Sequence, residues 1–229
     1  MLEKKNLSCL VVIVLLLFFG CKKEVIQVNS LSYNYFPTEK GVYVIYDVDS
    51  IFHAETDNQN DDSVYSYHFQ IKERIDTSFL DLQGRTNQVL LRFKRIEVTD
   101  SWMLTAVWTQ FINSTVAYRT EDNIIYHKLS FPINSTTTWN GNDSNTLDEE
   151  DYFYDYFHES SSVNGLSFDS TLSVIQIDEN NYVEKIFGNE KYATGIGMIY
   201  KEKDDLGKKN GQVVKGTEYK MQINSFGKE

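Results

Sequence analysis

Thirty-three carboxylates and four histidines are the residues of this chain best able to do acid–base or metal chemistry, and their spacing organises neither. His53, His68, His127 and His158 are scattered, and no two share the short spacing of a metal-ligand pair. They read as half-buried or surface strand residues. Asp57, Gln59 and Asp61 begin like a calcium loop. Asp62 then stands at the sixth place, where the sharp turn needs glycine, and His68 at the twelfth, where a bidentate glutamate belongs. A second acidic region at 140–151 could also offer oxygen ligands, but a solvated loop is the simpler reading of both. A carboxylate-dependent glycosidase needs two acids about 5–9.5 Å apart in a cleft, and a hydrolase of that kind is the enzymatic alternative. The sequence has no Gly-x-Ser-x-Gly elbow, no His-Glu-x-x-His and no phosphate-cradling glycine loop. No catalytic residue, metal or cofactor is assigned.

Aromatic residues offer a different chemistry. Trp102, Trp108 and Trp139, with 15 tyrosines, could build a platform for a glycan or a hydrophobic ligand. Trp102 and Trp108 are six apart, so an unbroken strand would point them the same way; a core role is the simpler reading of that pair. Trp139 lies in a turn-rich stretch beside Asn140 and Gly141, which makes it the leading single candidate for ligand contact. Gly195 and Gly197 alternate, a pattern that permits a bend, a bulge or close backbone approach.

The elements that must position these residues read as strands. Residues 41–48 are rich in β-branched and aromatic side chains. Tyr65, Tyr67, Phe69 and Ile71 alternate with Ser66, His68, Gln70 and Lys72, a period of two. Segments 89–98, 102–111, 115–118, 124–131, 172–177, 182–187 and 192–201 follow, and Tyr219, Met221 and Ile223 close the series. In 89–98, Leu91 and Phe93 alternate with Arg92 and Lys94. Segment 149–159 fits a helix pairing Tyr152 with Tyr156, or a strand with Tyr152, Tyr154 and Tyr156 on one face; aromatic crowding favours the strand. The predicted fold is mainly β: an antiparallel curved sheet, half-barrel or barrel-like, with at most one or two short helices. The domain spans 35–229, with a candidate subdivision near 132–147.

The chain starts with an address. Lys4 and Lys5 precede an apolar run at 7–19, too short for a membrane span of about 20 residues. The run ends Phe18-Phe19-Gly20-Cys21 and turns polar at Lys22. This resembles the lipobox of bacterial lipoproteins, which implies cleavage after Gly20, diacylglyceryl on Cys21 and a tether over 21–34. Phe18 departs from the leucine more usual there. Removing Glu3, Lys4 and Lys5 with the leader leaves a net charge of -12, against -11 for the whole chain. Such acidity excludes a broad electrostatic nucleic-acid surface. Cys9 leaves with the leader, so no disulfide is available and the core must hold the fold.

The layout as a whole resembles a group of uncharacterised lipoproteins of Bacteroidetes-type bacteria. The similar features are the export signal ending at Cys21, Tyr35-Phe36-Pro37 leading to Tyr43 and Tyr46, the stretch from Phe131-Pro132 to Trp139-Asn140-Gly141-Asn142, and the block from Glu190 to Glu202. The resemblance implies an address and a β-rich body, and no reaction. Lys22 and Lys23 do not resemble an inner-membrane retention signal, so the outer membrane is the expected site. The expected role is a lipid-anchored, non-enzymatic module that binds a hydrophobic ligand, a glycan or another envelope protein.

Overall fold

The computed structural model describes residues 32–55 and 63–229. The leader, Cys21, the tether up to residue 31 and the acidic loop at 57–62 lie outside the described residues. Among the described residues, twelve strands follow a single 3-10 turn at Tyr33–Tyr35. They are β1 (Val42–His53), β2 (Val64–Leu80), β3 (Thr86–Arg95), β4 (Met103–Ile112), β5 (Val116–Glu121), β6 (Ile124–Ser130), β7 (Thr138–Asn140), β8 (Asp151–Val163), β9 (Leu166–Asn180), β10 (Glu184–Ala193), β11 (Gly197–Lys209) and β12 (Gln212–Lys228).

One antiparallel sheet holds all twelve, in the order β6-β5-β4-β3-β2-β1-β12-β11-β10-β9-β8-β7. Two six-stranded meanders therefore join along β1 and β12. The outermost strands, β6 and β7, are consecutive in sequence, and the sheet curls until they meet. His127 N–H donates to the Gly141 carbonyl at 2.9 Å. The Trp139 indole N–H donates to the His127 carbonyl at 2.9 Å. The Tyr154 hydroxyl accepts from Ser130 N–H at 3.1 Å and donates to Ser130 C=O at 2.7 Å. Side chains thus satisfy backbone groups that an open edge would expose. The result is a barrel nearly closed on itself, the mainly-β, curved antiparallel fold expected from the sequence.

Local detail departs from the sequence reading at three points. Segment 192–201 is a hairpin, because Gly195 (φ 76°) and Gly197 (φ 96°) take left-handed backbone in the β10–β11 turn. On β3 the charged alternates face inward: Arg92 lies 4.4 Å over the Trp108 ring. On β4 an irregularity in the pairing with β3 sets Ala106 opposite Arg92 and Leu104 opposite Phe93, so alternation breaks at Thr105. Segment 149–159 is strand, as aromatic crowding favoured, with Tyr152 and Tyr154 buried.

Six hairpins, β1–β2 through β11–β12, gather at one end of the barrel. The chain and its C-terminus meet at the other, where Glu229 N–H donates to Gly41 O. That second end is filled. Tyr35 and Phe36 are each 1% exposed. The Tyr35 hydroxyl reaches Ser170 Oγ (2.7 Å) and His158 Nδ1 (2.9 Å). Gly195 N–H donates to Asn34 O at 2.8 Å, and Gln110 donates to Pro37 O at 2.7 Å. Val44, Tyr46, Val48, Leu172, Ile199 and Ile223 continue the core above this plug.

Gly141 holds the seam together, since a Cβ there would land in the Tyr152 ring. Gly141→Ala is expected to cost about 1–3 kcal/mol by overpacking. A denaturant melt checks this, and an unchanged midpoint would show that Tyr152 yields freely.

Candidate functional site: a charged belt under an open mouth

Between the apolar plug and the hairpin end, the barrel interior is ionic. Lys128 on β6 contacts Glu190 on β10 (2.6 Å) and Glu121 on β5 (3.4 Å). Lys201 on β11 contacts the same two carboxylates at 3.1 and 3.8 Å. The four side chains form a ring of alternating charge spanning the barrel. The Tyr192 hydroxyl donates to Glu190 at 2.5 Å. A second group lies deeper. Arg119 contacts Glu73 at 3.3 Å and donates to Gln110 at 2.9 Å, and Arg92 approaches Glu73 at 3.5 Å.

Period-two geometry puts these charges inside. Glu73 sits between Ile71 and Ile75, all three buried on one face of β2. Arg119 shares its face of β5 with buried Ala117. Glu190 and Tyr192 share a face of β10. A buried charge is tolerated only when paired and hydrogen-bonded, and each of these has its partner on another strand.

The electrostatics fix the protonation states. Burial alone would push the Glu121 carboxyl up, but Lys128 and Lys201 outweigh it and hold it at about 2. Burial likewise opposes ionisation of Glu190, and the same two lysines with the Tyr192 hydroxyl bring it well below the carboxylate range. Burial opposes the charge on Lys201, yet Glu121 and Glu190 raise it above an ordinary lysine. Glycoside hydrolysis needs a carboxylic acid still protonated near its working pH. Glu121 and Glu190 are held in the opposite state. The belt is suited to fixed hydrogen bonding and charge complementarity, and poorly suited to proton transfer.

Linkage gives the acid response. Both folded values lie below the unfolded value of about 4.3. Their stabilisation is therefore complete above that pH and is lost as pH falls toward about 2. Thermal melts are expected to hold steady from pH 7 to about 5 and then drop steeply. Glu190→Gln is expected to flatten that drop, and an identical acid slope in this variant would place the sensitivity elsewhere.

Two cavities adjoin the ring. The upper one, about 310 Å³, opens at the hairpin end and is walled by Tyr126, Tyr152, Phe187, Glu150, Lys203 and Asp205 over a floor of Glu121, Lys128 and Lys201. The lower one, about 210 Å³, is lined by Glu73, Arg92, Trp108, Glu121 and Lys201.

The tryptophans do not converge on this mouth. Trp139 is 7% exposed, packed against Tyr154 (4.9 Å) and Tyr152 (6.0 Å). Trp108 is buried and donates to Asp122 at 3.1 Å; it lines the lower cavity. Trp102 precedes β4 and stacks under Arg95 at 4.3 Å. Trp102 lies outside β4, and the β3 pairing shifts between Ala106 and Leu104, so the two indoles do not share one unbroken strand. His127 is buried against Trp139 with Asp143 at 3.0 Å, while His68 is exposed beside Asp49. Among the described residues no His/Cys/Asp/Glu cluster could hold a metal. The ring residues were missed in the sequence, although Glu190, Tyr192 and Lys201 all fall in the block that carried the resemblance.

No family model matches the chain, and no curated protein matches it. Solved structures similar in shape include the following two. A "putative exported protein with YmcC-like fold" from Bacteroides fragilis has 10% identity, covers 84% of this chain and 98% of its own, and gives a TM-score of 0.46. A "putative lipoprotein" from Parabacteroides distasonis has 8% identity with the same coverages and a TM-score of 0.42.

Proposed function

We propose that this chain is a lipid-anchored, non-enzymatic binding module of the bacterial cell envelope, and that its mouth cavity takes a polar, hydroxyl-rich ligand of the glycan class. The carrying observation is the upper cavity: aromatic walls over a floor of paired charges. An acyl chain in that space would strip water from Glu121, Glu150 and Lys201 without replacing their hydrogen bonds, at a cost of kilocalories per group. A sugar offers hydroxyls to the charges and C–H faces to the rings. The volume falls at the small end of ligand sites, which run from about 300 to 1,000 Å³.

The lipobox-like sequence at Cys21 supports the anchor, and Lys22-Lys23 supports outer-membrane delivery. Palmitate labelling of a Cys21→Ser precursor tests it: retained label would sink the anchor.

Native mass spectrometry of the full chain, followed by a glycan array, tests the ligand. A dissociable adduct of saccharide mass, with affinity falling about tenfold in Tyr126→Ala, is the expected result; tenfold corresponds to about 1.4 kcal/mol. Tyr126 is half-buried, so the fold should survive its loss. A fatty-acid adduct displaced by no sugar would overturn the glycan reading.

A further inference from the structure

Part of β2 has a strand on one side and none on the other among the described residues. β2 pairs with β1 from Val64 through Arg74, but with β3 only from Gln70 onward. Residues 64–69 therefore have a strand on one side alone among the described residues. Every second residue of this stretch turns its N–H and C=O to the open side. The side chains are equally uncovered: Val64 is 49% exposed, Tyr65 50% and Tyr67 53%. Natural edges are guarded by lysine, proline, bulges or covering loops. The run Val64-Tyr65-Ser66-Tyr67-His68-Phe69 contains no lysine, arginine, acid, proline or glycine, and its pairing with β1 has no bulge.

A cleft runs beside it. Where β3 ends and the chain turns away at Ile96, an open space of about 450 Å³ lies between that turn and the β2 edge, lined by Tyr67, Phe69, Lys94 and Ile96. Neighbouring strands sit about 4.8 Å apart, so one more strand is what the bare backbone calls for.

We propose that the free edge of β2 at residues 64–69 is a docking site for an extended, charge-poor segment of a partner protein, which adds to the sheet as a further strand. Backbone pairing supplies affinity, and alternate side chains reading Tyr67, Phe69 and Ile96 supply specificity. The favoured segment carries aromatic or β-branched residues at every second position and no proline.

Two other occupants fit less well. The chain's own Val25, Ile26 and Val28 are strand-like, but Ser32 belongs to the segment plugging the far end. Fully extended from Ser32, Ile26 reaches about 21 Å, so only Cys21 to Val25, with Lys22, Lys23 and Glu24 among them, would lie along an edge that carries no charge. Phe69 pairs with Val48, six residues along β1 from Val42 and so about 20 Å up the barrel. A second copy would bring another net charge of -11 and its own Ile96 turn into the same cleft.

Random ten-residue peptides displayed on phage are the probe, selected on the full chain in detergent, with hydrogen exchange mapping the site. The expected winners alternate apolar residues, protect the amides of 64–69, and bind at least tenfold more weakly to Tyr65→Lys and to Tyr67→Lys. Both positions are half-exposed, so these variants should fold; circular dichroism confirms that they do. Failure to select such peptides, protection mapping elsewhere, or affinity unmoved in both variants would overturn the proposal. So would a concentration-dependent dimer that Tyr67→Lys abolishes, which would assign the edge to a second copy.

Discussion

Glu190→Ala is expected to lower the melting temperature by about 6–20 °C. Glu190 is 1% exposed and neutralises two lysines at once, at 2.6 and 3.1 Å. Its removal leaves Lys128 sharing only Glu121 in an interior that water reaches poorly. Breaking a buried pair from one side typically costs about 3–5 kcal/mol, and a domain of this size loses about 2–4 °C per kcal/mol. Removing both members is a different matter. Glu190→Met combined with Lys128→Met leaves the Glu121–Lys201 pair balanced, and should recover most of the loss. A calorimetric double-mutant cycle reads the coupling directly. A double variant no more stable than the single one would mean that shape, and not charge, holds the ring.

The second large effect belongs to Trp139. Trp139→Ala is expected to cost about 3–5 kcal/mol, the usual range for emptying a buried aromatic site. The indole fills the space between His127, Tyr152 and Tyr154, and its N–H satisfies the His127 carbonyl at the barrel seam. Trp139→Phe keeps much of the packing and loses the donor, so about 1–2 kcal/mol of that cost should remain. Chemical denaturation of the three proteins separates the contributions. Wild-type stability in Trp139→Ala, together with lost ligand binding, would instead make this residue part of a binding surface.

The sequence carried the architecture well and the site poorly, for one physical reason. Strand identity depends on composition and period, which are local. Residues 41–48 and 65–71 therefore declared themselves, and aromatic crowding correctly favoured strand at 149–159. Which face turns inward depends on what the barrel encloses, which is not local. Leu91 and Phe93 look like the core face of β3, yet Arg92 is the residue that meets Glu73 and Trp108 inside. The Glu73 carboxylate stands two residues from Ile71 and Ile75, and Arg119 two from Ala117. A charge at core parity was the available signal. It has meaning only once partners from β5, β6, β10 and β11 are known to face one another. The burial of Trp139 was hidden for the same reason: its turn-rich neighbourhood is local, whereas the β6–β7 seam that covers it is not.

Both ends of the folded chain leave from the plugged pole, Ser32 through the Tyr33–Tyr35 turn and Glu229 beside Gly41. This gives the barrel two unlike poles. β1 alone adds about 40 Å of rise from that pole to the hairpins. The mouth, and the bare edge of β2 near it, lie at the pole opposite both chain exits. A ligand or partner reaches either of them without displacing the segments that enter and leave the barrel.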